Sequence, residues 1–265
     1  MTEAPQFTLG KYMTKPSEVS KPSLMMVMGP YGGGKTYLAA SASLVPELRK
    51  TLIIDLEGST TGTVSDFDDK HLNIIDVQRV AKNQGAHPVE IFEAIMEQIF
   101  EFPDEYATVV VDTFDVLNNM YLEYYETAAP AGASGGRDGF FKWTETRRRL
   151  TSHNGLIAQM KAASFLTILV MHEEKDEDSG SFEFSWTGKG ARSDLGQFPD
   201  LIMRVNRKFN EKKKTWSTEI VTVPTDRGQS KSRFNKIPEV IDADATLKDI
   251  WDMLNDKKTT AKEEK

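Results

Sequence analysis

Met28-Gly29-Pro30-Tyr31-Gly32-Gly33-Gly34-Lys35-Thr36 is the stretch on which the fold of this chain turns. It carries G-x-x-x-x-G-K-T complete, after the apolar run Leu24-Met25-Met26-Val27 and before Tyr37-Leu38-Ala39-Ala40. A buried strand, a glycine-rich turn and the first turn of a helix are therefore expected in that order. The glycines let successive backbone N–H groups point inward at a polyphosphate, and the helix beginning near Gly34 adds the positive end of its dipole. Lys35 is placed to act as a point charge on the β- and γ-phosphates, and Thr36 to offer a hydroxyl to Mg2+. The expected contacts of a nucleoside triphosphate are Gly29, Pro30, Tyr31, Gly32, Gly33, Gly34, Lys35, Thr36 and Tyr37.

Outward from this loop, short apolar runs alternate with helical patterns, as in a mostly parallel sheet wrapped by helices. A helix over about residues 36–49 leads to the run Thr51-Leu52-Ile53-Ile54-Asp55, and Leu72-Asn73-Ile74-Ile75-Asp76-Val77 is a third candidate strand. Val89, Phe92, Ile95, Met96 and Ile99 recur at helical spacing. Ala107-Thr108-Val109-Val110-Val111-Asp112 is the most β-branched run of the chain, and Phe165-Leu166-Thr167-Ile168-Leu169-Val170-Met171 follows later. Towards the carboxyl end, Lys212-Lys213-Lys214-Thr215-Trp216 is expected to turn a hairpin, so the last strands run antiparallel. Leu247, Ile250, Trp251 and Leu254 mark a closing amphipathic helix. The fold class is thus α/β, a mostly parallel sheet flanked by helices with antiparallel strands near the carboxyl terminus.

With 265 residues, 39% hydrophobic and 9% aromatic, the chain supports a substantial core. The expected division is an extension over 1–21, one core over 22–256 and a flexible tail over 257–265. No apolar run is long enough to span a bilayer and the first residues lack a basic-then-apolar leader, which points to a cytoplasmic protein without a membrane partner. The absence of cysteine excludes disulfides, thiolate metal sites and cysteine nucleophiles. A net charge of −7 argues against a surface that coats nucleic acid indiscriminately, while leaving room for a local basic groove.

Asp112 ends its strand run and is followed by Thr113-Phe114-Asp115. Beside a phosphate loop, an acid in that position orients the Mg2+ shell, usually through water; alone it would as readily cap a helix, a part open to Asp115. Asp55-Leu56-Glu57 ends the second run, and His172 follows the run from Phe165. Residues 173–180 read as a polar, mobile loop. Phe182, Phe184 and Trp186, interleaved with glycines and cations up to Arg192, suit either base stacking or a hairpin packed on the body. Residues 128–139 are rich in alanine and glycine and read as a second loop. Basic clusters occur at Arg147-Arg148-Arg149 and between Arg204 and Lys214, as a track for a nucleic-acid backbone or as solvated surface. Lys231-Ser232-Arg233-Phe234 closes the series.

This order, phosphate loop, Asp-x-Glu, strand-ending Asp112, His172 and Lys-x-Arg, resembles the core of RecA-like P-loop ATPases over roughly residues 22–242. It is similar to phage nucleotide-binding proteins of the Sak-four type, compact ATPases of single-strand annealing and homologous recombination. The resemblance implies ATP as nucleotide, Mg2+ held by Thr36 and Asp112, and Glu57 as the carboxylate that orients water. It implies His172 as a sensor of the γ-phosphate. Lys231 and Arg233 resemble the paired cations of ring helicases and of RadA, which reach a neighbouring subunit's γ-phosphate. The two loops then take the places of DNA-binding loops. Implied partners are single-stranded DNA, a single-strand-binding protein and further copies of the chain, in a ring or filament with shared ATP sites. The competing reading is an ATP-dependent switch or loader whose partners are proteins. A small-molecule kinase suits the phosphate loop but not the paired cations.

Overall fold

The computed structural model describes residues 21–127, 141–177, 180–186, 194–210, 214–225, 228–242 and 245–255. The loop expected at 128–139 lies outside these residues, as do 178–179 and 187–192 of the segment expected as a loop after His172, 1–20 and the tail over 257–265.

Strand β1 (Leu24–Gly29) is wholly buried and runs parallel between β5 (Leu166–Lys175) and β7 (Leu201–Asn210). Beyond β5 the parallel order continues through β4 (Thr108–Asp112) and β2 (Thr51–Asp55) to β3 (Leu72–Asp76). On the other side, β8 (Thr215–Val221) and β10 (Val240–Asp242) add antiparallel strands, and β9 (Lys231–Ser232) pairs with the start of β7. The α/β class expected from the sequence, parallel at the centre and antiparallel towards the carboxyl end, is the fold found. The continuous apolar runs are explained by this sheet, because parallel strands covered on both faces cannot alternate with polar residues.

Alternate side chains feed two cores. Met26, Met28, Ile54, Val109, Val111 and Met171 face one layer, built from α2 (Val77–Gln84), α3 (Pro88–Glu101), α4 (Phe114–Thr127), α5 (Phe141–Thr151) and α6 (Leu156–Ala162). Met25, Val27, Ile53, Val110 and Val170 face α1 (Lys35–Ala40) and α7 (Leu247–Asn255). In α7 the expected apolar stripe is the buried one: Leu247, Ile250, Trp251 and Leu254.

Two expectations are corrected. The helix expected over 36–49 ends at Ala40 and passes into tight turns over Ser41–Leu44 and Pro46–Leu48. Ser41 and Ser43 hydroxyls bind the Leu38 and Ala40 carbonyls, and Pro46 brings no N–H to continue the ladder. The first part of the loop expected over 173–180 is instead strand: β5 leaves its parallel partner at His172 and continues through Lys175, paired antiparallel with β6 (Phe182–Phe184). Glu173 is strand because its carboxylate is buried against Arg204, at 2.7 Å.

Candidate nucleotide-binding and hydrolysis site

The phosphate loop sits at the carboxyl edge of the parallel strands, where ligands of open α/β sheets bind. Register aligns the candidate residues along that edge: Gly29 lies opposite His172, and Asp55 opposite Asp112. Gly29 permits β7 to pass closely, since a Cβ there would come within 2.5 Å of the Val205 carbonyl oxygen. Gly34 caps α1 at φ 94°, a conformation that a side chain disfavours. The carbonyl of Pro30 accepts from the Gly33 N–H and from Lys35 Nζ, at 3.1 and 2.8 Å. Lys35 is buried, and desolvation pushes its pKa down while Asp112, Asp115 and Glu57 pull it back up.

Thr36 and Asp112 meet directly, the hydroxyl donating to Oδ2 at 2.8 Å, and Thr60 donates to the same oxygen at 3.2 Å. Burial pushes the Asp112 carboxyl up to about 6, against the lowering effect of those two hydroxyl donors. Two hydroxyls and one carboxylate, all hard oxygen donors, fit a Mg2+ ion that takes most of its shell from phosphate and water. The sequence carried no sign of Thr60, whose loop is shaped by Asp55. That buried carboxylate accepts the backbone N–H groups of Glu57, Gly58 and Thr60 at 3.0, 2.8 and 2.9 Å. Within the pair Asp55 and Glu57, the first is thus committed to the backbone and the second remains partly exposed.

Glu57 Oε1 accepts from Thr113 Oγ1 at 2.7 Å and lies 3.7 Å from His172 Nδ1. Thr113 follows Asp112, and its hydroxyl turns to the acid in the loop after the neighbouring strand β2. His172 is buried at the end of the parallel ladder with β1, its ring stacked on Tyr31 at 3.9 Å between centroids. Asp115, considered from sequence as a helix cap, directs both carboxylate oxygens at His172 instead. Desolvation, with the charges of Asp115 and Glu57, raises the Tyr31 pKa. On the outer side of the loop, Tyr37 is 46% exposed and its ring lies 5.2 Å from that of Phe67.

Lys231 and Arg233 stand apart from this assembly. Lys231 pairs in register with Ile202, beside the middle of β1, and Arg233 follows at the level of Asp200 and Leu24. Leu24 and Gly29 are the two ends of β1, five residue steps and roughly 16 Å apart. In their own chain, Lys231 Nζ donates to the Gly196 and Gln197 carbonyls, and Arg233 to Asp200 Oδ1 and the Gln197 carbonyl. Desolvation and the nearby charges of Arg233 and Lys161 push the Lys231 pKa down.

Among the described residues, several side chains considered for nucleic acid are engaged within the chain. Phe184 and Trp186 are buried, Trp186 stacked on Phe114 at 5.3 Å, so the packed hairpin is the reading that holds for these rings. Arg147 pairs with Asp194, Arg148 with Glu145 and Arg149 with Glu93. Arg204 is buried with Glu173 beneath the Phe182 ring. Among the described residues no helix is long and apolar enough to cross a membrane.

No curated protein matches the sequence. Among solved structures, a KaiC-like protein of Pyrococcus horikoshii OT3 aligns at 12% identity over 75% of this chain and 76% of its own, with a TM-score of 0.39. The RadB recombinase aligns at 16% identity over 76% and 80%, with a TM-score of 0.38. An ATPase from the type III secretion system of pathogenic bacteria aligns at 10% identity over 72% of this chain and 54% of its own, with a TM-score of 0.46. Such likenesses carry no functional argument. A family model described as AAA domain matches residues 21–234, most of the chain and all of the phosphate-site residues. With that match and the phosphate loop at the edge of a mostly parallel sheet, the chain belongs to the AAA domain family and is a P-loop ATPase.

Proposed function

We propose that this ATPase hydrolyses ATP with Mg2+ and acts on single-stranded DNA in annealing or homologous recombination, as a ring or filament whose neighbouring subunits share ATP sites. The observation that carries the hydrolytic part is the convergence of Thr36, Asp112, Thr113, Glu57 and His172 on one edge of the sheet. The unit proposed to do this is the core over 22–256, in a cytoplasm, a bacterial host's if the chain is of phage origin. A single-strand-binding protein is a further proposed partner.

The triphosphate is taken up by the N–H groups of the phosphate loop, and Lys35 exchanges the Pro30 carbonyl for the β- and γ-phosphates. Tyr37 and Phe67 offer faces for the base. Thr36 and Asp112 would hold Mg2+, which supplies neutralisation of phosphate charge. Glu57, kept in place by Thr113, orients the attacking water, and His172 reads the γ-phosphate. Lys231 and Arg233 serve the neighbour's nucleotide, a reading supported by their distance from the phosphate loop of their own chain.

Phosphate release from ATP and Mg2+, with and without single-stranded DNA at low and moderate salt, tests this. Stimulation that fades with salt and vanishes in Lys35→Ala is expected, because phosphate neutralisation releases counterions. ATP binding with turnover indifferent to DNA would favour a protein-partnered switch. Two observations favour that second reading: the net charge of −7, and the pairing of Arg147, Arg148 and Arg149 with carboxylates.

A further inference from the structure

Asp115 is 7% exposed, near the start of α4 and below the phosphate loop. Its Oδ1 accepts the His172 backbone N–H at 3.1 Å and its Oδ2 lies 3.0 Å from His172 Nδ1. A carboxylate only accepts, so Nδ1 carries the proton in this contact, and Asp115 holds both the backbone and the ring of His172. Glu57 Oε1 lies 3.7 Å from the same Nδ1, and 2.7 Å from the Thr113 hydroxyl. Two carboxylates therefore compete for one N–H, and the geometry awards it to Asp115.

We propose that Asp115 is a positioning residue for ATP hydrolysis, acting through His172: by holding Nδ1–H it prevents the imidazole from capturing Glu57. Glu57 is thereby left to Thr113 and to water. The same hold keeps the ring flat against Tyr31, so that one imidazole joins the phosphate loop, α4 and the end of the parallel ladder. If Asp115 is lost, Nδ1–H turns to Glu57, and the water-orienting carboxylate is drawn away from the γ-phosphate. The assignment rests on the reading of Glu57 as that carboxylate.

Asp115→Leu removes both acceptor oxygens and leaves Nδ1–H to turn to Glu57, whereas the amide of Asp115→Asn can present an N–H towards Nδ1 and so favours the opposite tautomer, which has no proton there for Glu57. In full-length protein, we expect Asp115→Leu to bind ATP within about threefold of wild type while kcat falls roughly tenfold or more, as for a displaced reacting group, and Asp115→Asn to lose several-fold less kcat than Asp115→Leu. Nitrogen NMR of labelled histidine, four residues with His172→Gln for assignment, should show Nδ1 of His172 protonated in wild type and unprotonated in Asp115→Asn. Thermal melting of all three proteins separates this from misfolding. Unchanged kcat in Asp115→Leu, affinity lost with kcat kept, equal losses of kcat in the two variants, or the same tautomer in wild type and Asp115→Asn would overturn the role of Asp115 alone. Wild-type protein that binds ATP without releasing phosphate would overturn the hydrolytic reading, and this role with it.

Discussion

At Asp112, burial and the proposed role towards Mg2+ pull in opposite directions. The folded chain holds the carboxyl near 6 against an ordinary 3.8, so between about pH 4 and 6 it binds more protons than the unfolded chain. The contribution of this group to stability is full below pH 4 and is lost as pH rises through 6. The full shift is worth about 3 kcal/mol. Urea unfolding without nucleotide should show wild type losing stability relative to Asp112→Asn, by an amount approaching that order, from pH 4.5 to 7.5, other carboxylates cancelling in the comparison. A second prediction concerns Arg204 and Glu173, both buried. Glu173→Gln leaves a guanidinium without its counter-charge and should cost about 3–5 kcal/mol in urea unfolding, whereas replacing both by Met should cost far less. Asp112 was legible because one acid ends a β-branched run. Glu173 was not, because its partner is Arg204, 31 residues on, and only the fold brings them together.

Among the elements, β6 shows how burial decides between two readings of one pattern. Phe182, Phe184 and Trp186 alternate as a strand does, and alternation alone suits a hairpin on the body as well as rings offered to bases. Phe184 and Trp186 join the core beside Phe114, at the start of α4. Trp186→Ala should therefore act on stability, by about 3–5 kcal/mol in thermal or urea unfolding, rather than selectively on nucleic-acid binding. In α1 the error was one of length. Helix propensity in Leu38, Ala39 and Ala40 was visible, but the serine hydroxyls that turn the chain back on its own carbonyls compete locally in a way the pattern does not grade. For α3 and α7 the apolar spacing was sufficient, because a stripe at 3.6-residue period has one way to be buried.

On the scale of the whole molecule, the phosphate-loop edge and the Lys231–Arg233 turn lie at different levels of the sheet, so the proposed use of these cations on a nucleotide would need a second copy. Mixing Glu57→Gln with Arg233→Ala should recover ATPase activity above either protein alone, each subunit supplying what its neighbour lacks. Recovery absent from mixed assemblies shown to form by native mass spectrometry would count against the shared site. The sequence by itself determined the phosphate loop, the strand runs and hence a parallel α/β sheet, because these depend on contiguous residues: glycines in a turn, apolar runs buried on both faces, stripes at helical period. Only the tertiary structure decided which of the acids are committed. Asp55 is spent on backbone N–H groups, Asp115 on His172, and Glu57 is left with Thr113. Strand register sets that division by placing residues distant in sequence within one hydrogen-bond length, and no local pattern encodes it.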